Sequence, residues 1–345
     1  MIKADMGNID FKEVRDKVFK GCGCLSIATI LFVVVLAIIG SFIDDESTAD
    51  DSAEEQKTEA KEEKKDSVIV NEPLEGDPYK ELDELIGLGK VKDEVRTLAN
   101  FVKVQKQREA QGLKIPKMSY HLVFTGSPGT GKTTVARIVA RIYKDLGVLK
   151  KGHTVETDRG GLVSGYMGQT ALKTDSLINS ALDGVLFIDE AYALVPEDGN
   201  GSDYGQEAIS TLLKRMEDDR DRLVVIIAGY SKEMKRFIDS NPGLQSRFNR
   251  YIDFPDYTGG ELFDIFNMYV KKNQYRLDAD AAEFLRHALD SAVLHKTRNF
   301  GNARYARNKF EKAIQEQANR LASVRNATTD QLTLITLEDL QKSFK

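Results

Sequence analysis

The sequence predicts an α/β domain built on a parallel sheet, followed by a small all-α domain and preceded by one transmembrane helix. Three observations carry that expectation. Apolar runs of strand length alternate with helix-period stretches across residues 79–257, the pattern of parallel strands joined by helical crossovers. After Pro255 the strand signal fades, and amphipathic helical stretches fill residues 258–345. Near the start, Gly21 to Ile43 carries no charged residue.

Length and charge bound the reading. The 345 residues fit about two domains at roughly 150 residues each. A hydrophobic fraction of 41% with 30% charged residues suits a globular protein with a real core. The net charge of −5 hides an asymmetry, because residues 44–78 hold fourteen Asp or Glu against four Lys. That stretch balances at −10 and the remainder at +5. No strongly basic face calls for a nucleic acid, and none is expected as a partner. Cys22 and Cys24 are too few for a disulfide framework or a complete cysteine zinc site, and the four histidines form no HExxH.

Residues 1–24 form a lead of mixed charge. Residues 25–43 then run apolar on every side, and 19 residues at ~1.5 Å each span ~28 Å, close to the ~30 Å hydrocarbon core of a bilayer. A buried core helix is disfavoured because a charged tract follows instead of further core elements. A cleaved signal peptide is disfavoured by the long lead, by a run beyond the usual ~7–15 residues and by the missing A-x-A site. Cys22 and Cys24, at the boundary, are candidates for acylation or incidental small residues. Residues 44–78 are read as a disordered acidic tether, transiently helical between Glu54 and Lys65, since so polar a segment buries too little to offset its ordering entropy. A docking tail for a basic partner is the alternative.

Beyond the tether, His121 to Thr125, Val185 to Ile188 and Leu223 to Ala228 read as buried strands. Thr133 to Leu146 and Tyr204 to Arg220 read as helices between them. Glu261 to Asn273, Ala279 to Leu294 and Asn302 to Ser323 supply the helices of the last domain.

The strongest motif is Gly126-Ser127-Pro128-Gly129-Thr130-Gly131-Lys132-Thr133, with Thr134 next, a match to GxxxxGK[ST]. It follows an expected strand and opens an expected helix, the context of a P-loop NTPase. Its glycines let successive N–H groups face phosphate oxygens, and the helix N-terminus adds partial positive charge. Lys132 is placed on the β- and γ-phosphates of ATP, and the Thr133 hydroxyl on Mg²⁺. The strand Val185 to Ile188 ends in Asp189 and Glu190. Asp189 is expected to hold Mg²⁺ through water, and Glu190 to activate the attacking water. A GTPase is disfavoured: Asp158-Arg-Gly-Gly161 is a short chance pattern, and Asn308-Lys309 leads to Glu311 where NKxD needs Asp. The need for ATP puts the ATPase domain on the cytoplasmic side of the membrane. The charges flanking the apolar run, Lys12, Arg15, Lys17 and Lys20 before it and Asp44, Asp45 and Glu46 after it, argue the reverse.

P-loop, strand-end Asp-Glu and C-terminal helical domain together resemble an AAA+ ATPase from Tyr79 to Lys345, with an all-α lid. The likeness is strongest to the CbxX/CfqX group of red-type Rubisco activases and stage V sporulation protein K relatives. It rests on Leu85-Ile-Gly-Leu-Gly-Lys-Val-Lys92, Gly165-Tyr-Met-Gly-Gln-Thr-Ala-Leu-Lys-Thr174, Asp203-Tyr-Gly-Gln-Glu-Ala208, Ile227-Ala-Gly-Tyr230, Asn241-Pro-Gly-Leu-Gln-Ser-Arg-Phe248 and Gly301-Asn-Ala-Arg304. The resemblance implies that Leu85 and Ile86 pack on adenine, or else are core. It implies that Tyr166, Met167 and Gly168 form a pore loop gripping polypeptide, or else that Tyr166 packs on its own domain. Residues 196–204 are a candidate second pore loop or a solvated loop. Arg247 resembles an arginine finger serving a neighbouring subunit, with Arg250 as the alternative, and Arg304 resembles the sensor-2 arginine. Where many AAA+ proteins place a polar Asn or Thr after the fourth strand, this chain has Ala228-Gly229-Tyr230-Ser231, leaving Tyr230 or Ser231 for that place.

The expectation is a membrane-tethered AAA+ ATPase, assembled as a homo-oligomer, a hexamer, that remodels, unfolds or extracts a protein substrate. The alternative is an ATP-switched membrane scaffold with little turnover. A DNA-directed role is disfavoured by the anchor, and a self-contained protease by the lack of HExxH.

Overall fold

The computed structural model describes residues 68–116, 119–166, 168–195 and 204–345. The expected lead, the transmembrane helix at 25–43, most of the tether, Met167 and residues 196–203 lie outside the described residues. Among the described residues, no helix is long and apolar enough to cross a membrane.

The described residues begin ten residues before the expected end of the tether. Val68-Ile-Val-Asn71 forms an edge strand, β1 (Ile69–Asn71). This corrects the tether assignment there. A short β-branched run needs only a partner edge to pair, however polar its flanks. Asp77 caps helix α1 (Pro78–Glu84), accepting the Tyr79 N–H at 2.8 Å, with Pro at the first helical position. Helix α2 (Gly89–Ala110) buries Val91, Val95, Leu98 and Val102, one face at helical spacing. Each such burial is worth ~1.5–3 kcal/mol.

Strand β2 (Leu122–Gly126) leads through the glycine loop to helix α3 (Lys132–Asp145). Strand β3 (Thr154–Thr157), short helix α4 (Arg159–Leu162), helix α5 (Gln169–Ala181) and strand β4 (Gly184–Ile188) follow. A 3₁₀ turn at Ala191–Leu194 precedes helix α6 (Tyr204–Asp218) and strand β5 (Leu223–Gly229). Helices α7 (Ser231–Asp239) and α8 (Pro242–Arg247) then reach strand β6 (Tyr251–Phe254).

The sheet order is β1-β3-β4-β5-β2-β6. Five strands are parallel, as expected, while β1 runs antiparallel to β3 and makes the sheet mixed. Both faces are covered. Phe124, Ile226 and Ala228 join the core under α2 and α3, and Val123, Val225 and Ile227 join the core under α5 to α7. Strands buried on both sides read as unbroken apolar runs, which is why β2, β4 and β5 were visible in the sequence. Strand β3 was not, because Thr154-Val-Glu-Thr157 is mostly polar. It is buried nonetheless, since Glu156 accepts hydrogen bonds from Arg137 Nη2 at 2.9 Å and Asn71 Nδ2 at 2.7 Å.

The second unit of the fold starts with a capping box, Thr258 with Glu261, at helix α9 (Gly259–Lys272). Strand β7 (Arg276–Leu277), helices α10 (Ala279–Leu294), α11 (Ala303–Leu321) and α12 (Thr329–Thr333), strand β8 (Leu334–Ile335) and helix α13 (Leu337–Ser343) complete it. The all-helical expectation needs one correction: β7 and β8 pair in parallel. Gln317, on α11, holds this ribbon by donating to the Leu334 carbonyl at 2.7 Å. Phe310 centres the helical core, edge-on to Phe266 at 5.6 Å.

Candidate active site

Strand β2 stops at Gly126 and α3 starts at Lys132, so the glycine motif is the turn between them. Gly129 and Gly131 hold φ of 72° and 95°, in the left-handed region that L side chains rarely adopt. A Cβ on Gly129 would stand 2.2 Å from the Gly301 carbonyl oxygen, so only glycine permits the helical lid to approach the loop this closely.

Lys132 is buried, and its ammonium donates to the carbonyls of Gly126 at 2.9 Å and Ser127 at 2.8 Å. Burial pushes its pKa below the ordinary lysine value; Asp189 pulls it back up, and the Arg304 charge presses it down again. Thr130 is fully buried and donates its hydroxyl to the Ser127 carbonyl at 2.8 Å. Ser127 hydrogen-bonds Asp256. These two side chains brace the loop, whereas Gly126, Pro128, Gly129, Gly131, Lys132, Thr133 and Thr134 line a cleft of about 540 Å³.

The cleft has two apolar walls. Leu85, Ile86 and Leu88 form one, and Ile265, Met268 and Tyr269 of α9 form the other. Leu85 and Ile86 also pack against the core, the second of the two readings of that pair. A cleft lined by apolar side chains beside a glycine loop that opens a helix suits a purine joined to phosphates.

Asp189 and Glu190 reach the cleft from the end of β4. The Asp189 N–H donates to the Thr157 carbonyl at 2.8 Å, and the Glu190 N–H to Asp189 Oδ1 at 3.1 Å. Glu190 itself takes φ 49°, a left-handed turn unusual for a residue with a side chain. Thr133 and Asp189 share the cleft with Lys132. Among the described residues no group of three or more His, Cys, Asp or Glu forms a metal cage. One hydroxyl and one carboxylate fit Mg²⁺, which keeps waters and takes phosphate oxygens as its other ligands.

Tyr230 lines the cleft at the end of β5, while Ser231 is exposed and opens α7. A Cβ on Gly229 would meet the Tyr192 ring at 2.7 Å. Burial first, and the Glu190 charge next, push the Tyr192 phenol up to about 12.

Arg304 lines the cleft from α11. Arg247 does not, because it sits at the far end of the sheet. Its carbonyl accepts from Ser119 Oγ at 2.7 Å beside the N-terminal end of β2, whereas the P-loop leaves the C-terminal end. That separation is roughly 13 Å or more along the strand. Arg247 lies 3.6 Å from Glu217, and its buried Nε has no hydrogen-bond partner among the described residues. Arg250, the alternative, stacks its guanidinium 4.9 Å from the Phe101 ring centre. Tyr166 is 69% exposed, just before Gly168 (φ 76°) opens α5, so it does not pack on its own domain.

Sequence reasoning missed four of the contributors. Ile265 and Met268 looked like an ordinary helix face. Tyr257 donates to the Thr130 carbonyl at 3.4 Å. Asn302, quoted only as a motif residue, is wholly buried between lid and loop. The Gly301-Asn302 pair before a helix, directly following Phe300, was the one available signal for the last.

Residues 122–256 match the ATPase family associated with various cellular activities (AAA), and residues 258–345 match the AAA lid domain. The chain is 42% identical over 262 residues to stage V sporulation protein K of Bacillus subtilis, covering 76% of this chain and 81% of that protein. It is 45% identical over 283 residues to the ESX-1 secretion system protein EccA1 of Mycobacterium tuberculosis, covering 79% of this chain. It spans only 49% of that longer relative. Among solved structures, the AAA domain of FIGL-1 superposes with a TM-score of 0.56 at 18% identity, over 80% of this chain and 84% of that one. The same domain in complex with ADP gives 0.55. Likeness at that identity speaks for the fold alone. Shared sequence across most of the sporulation protein settles the family: the chain belongs to the AAA+ ATPases and is an ATP hydrolase with a AAA domain and a AAA lid.

Proposed function

We propose that the chain is a membrane-tethered AAA+ motor that hydrolyses ATP between subunits of a ring, a hexamer, and uses the stroke to remodel or extract a protein substrate. The observation that carries this reading is Arg247, held at the opposite end of the sheet from its own cleft with a buried Nε unpartnered among the described residues. An arginine so placed serves the cleft of a neighbour. Lys132 and the loop N–H groups hold the phosphates, and Glu190 orients and deprotonates the attacking water. Arg247 from the next subunit neutralises charge on the departing phosphoryl group, an effect worth ~10³–10⁵ in rate in well-studied cases. Thr133 and Asp189 would hold Mg²⁺, which when bound supplies charge to the phosphate oxygens. Arg304 reports the nucleotide to the lid. The exposed Tyr166 ring before Gly168 supports a loop that grips polypeptide through an aromatic face. The uncharged run at 25–43 supports the anchor, with the ATPase domain on the cytoplasmic side.

The test mixes two inactive proteins. Lys132→Ala and Arg247→Ala should each lose at least about 100-fold in turnover. Combined, they should recover measurable hydrolysis, because an intact P-loop then meets an intact Arg247 across an interface. A mixture as dead as its components would sink the shared site.

A further inference from the structure

Every carbonyl from Gly126 to Gly131 accepts a hydrogen bond. Lys132 Nζ serves Gly126 and Ser127, and the Val135 N–H serves Gly131. The middle of the loop is held from outside. Asn302 Nδ2 donates to Pro128 at 3.3 Å, the Ala303 N–H to Gly129 at 3.1 Å, and the Tyr257 hydroxyl to Thr130 at 3.4 Å. In a trans peptide the carbonyl and the following N–H point in opposite directions. Pinning these carbonyls to the lid side therefore turns the next N–H groups toward the cleft, where phosphate binds.

Asn302 is built for this place. It is 0% exposed and takes φ 49°, ψ −122°, a conformation costly for a residue with a side chain. Its Oδ1 accepts the Tyr257 N–H at 3.0 Å, and its Nδ2 donates to Asp256 Oδ1 at 2.9 Å. Asp256 is in turn bound by Lys296 at 2.5 Å and by Ser127 of the loop. One side chain thus ties the lid, the hinge at Asp256-Tyr257 and the phosphate loop together.

We propose that Asn302 is a positioning residue for phosphate binding, fixing the Pro128–Gly129 peptides from behind so that lid docking and phosphate affinity form one equilibrium. This needs only the ATPase assignment and is independent of the ring and the membrane. Asn302 contacts the loop carbonyl of Pro128 and does not line the cleft, so its effect should fall equally on ATP and ADP. That separates its role from one exerted by Arg304 within the cleft.

The experiment is calorimetric titration of the full chain with ADP and with a non-hydrolysable ATP analogue, beside steady-state turnover. Asn302→Gly accepts the same backbone angles and keeps the Ala303 N–H, removing the side chain alone. Both Kd values and KM should rise together by about tenfold, the effect of one or two lost hydrogen bonds, with kcat at saturation within about twofold. Asp256→Asn, which weakens the acceptor for Asn302, should show the same pattern at about threefold. A folded Asn302→Gly protein binding ADP within twofold of the parent overturns the proposal, as does a fall in kcat at unchanged Kd. If Asn302→Gly shows no melting transition, the same criteria applied to Asp256→Asn decide.

Discussion

Glu190 and His121 show how much a single position settles. Glu190 combines a left-handed backbone with a carboxylate in the cleft, so Glu190→Gln preserves shape while removing the proposed base. Turnover should fall by about 10²–10⁴-fold with ADP affinity unchanged, read from hydrolysis and titration on the same protein. His121 is buried at the base of β2, where Nδ1 accepts the Val225 N–H at 2.9 Å. Burial, and then the nearby Arg247 charge, lower its pKa from 6.5 to about 4. The folded state thus holds the neutral ring, and its contribution is complete above pH 6.5 and lost as pH falls through about 4. The loss should reach ~3 kcal/mol at pH 4. Denaturant unfolding against pH would measure it, and His121→Gln, which keeps an acceptor, should flatten that limb. The P-loop and the Asp189–Glu190 pair were legible because their chemistry is written in adjacent residues. Asn302 and Tyr257 were not, because they reach the loop from more than 120 residues away and obey no period.

At the scale of elements, the same contrast recurs. Strands β2, β4 and β5 announced themselves as apolar runs buried on both faces. Strand β3 did not, because its burial depends on the Arg137–Glu156–Asn71 contacts rather than on apolar side chains. Strand β1 was hidden behind the acidic tract, whose composition dominated the reading of its neighbours. Removing residues 1–71 should therefore harm the domain, while removing residues 1–67 should not. The shorter protein loses three paired residues and the Asn71–Glu156 hydrogen bond. It should be less stable by about 1–3 kcal/mol in denaturant titration, and equal stability of the two truncations would show that β1 contributes nothing.

For the whole molecule, the division into ATPase unit and lid followed from the change of period after Pro255, and the docking of the two did not. Packing between units depends on shape at Gly129 and Gly301, which no pattern of hydrophobicity encodes. Assembly belongs to this scale too. If Arg247 completes a neighbour's cleft, turnover per chain should rise steeply with protein concentration and then level off. Turnover proportional to concentration from the outset, with no change per chain, would point to a self-sufficient monomer.

Strand β1 also sets a path for force. Being antiparallel, it starts beside Glu156 near the nucleotide end of the sheet and runs back along β3. Tension on the chain ahead of residue 68, pulling along the strand, loads three residue pairs in shear. Behind them stands a clamp, Arg141, which holds Glu81 and the Gly76 carbonyl. The next link is Leu85-Ile86, the apolar wall of the ATP cleft. A strain gauge would be wired in this order: a weak shear joint, a stiff clamp, and then the element whose displacement is read.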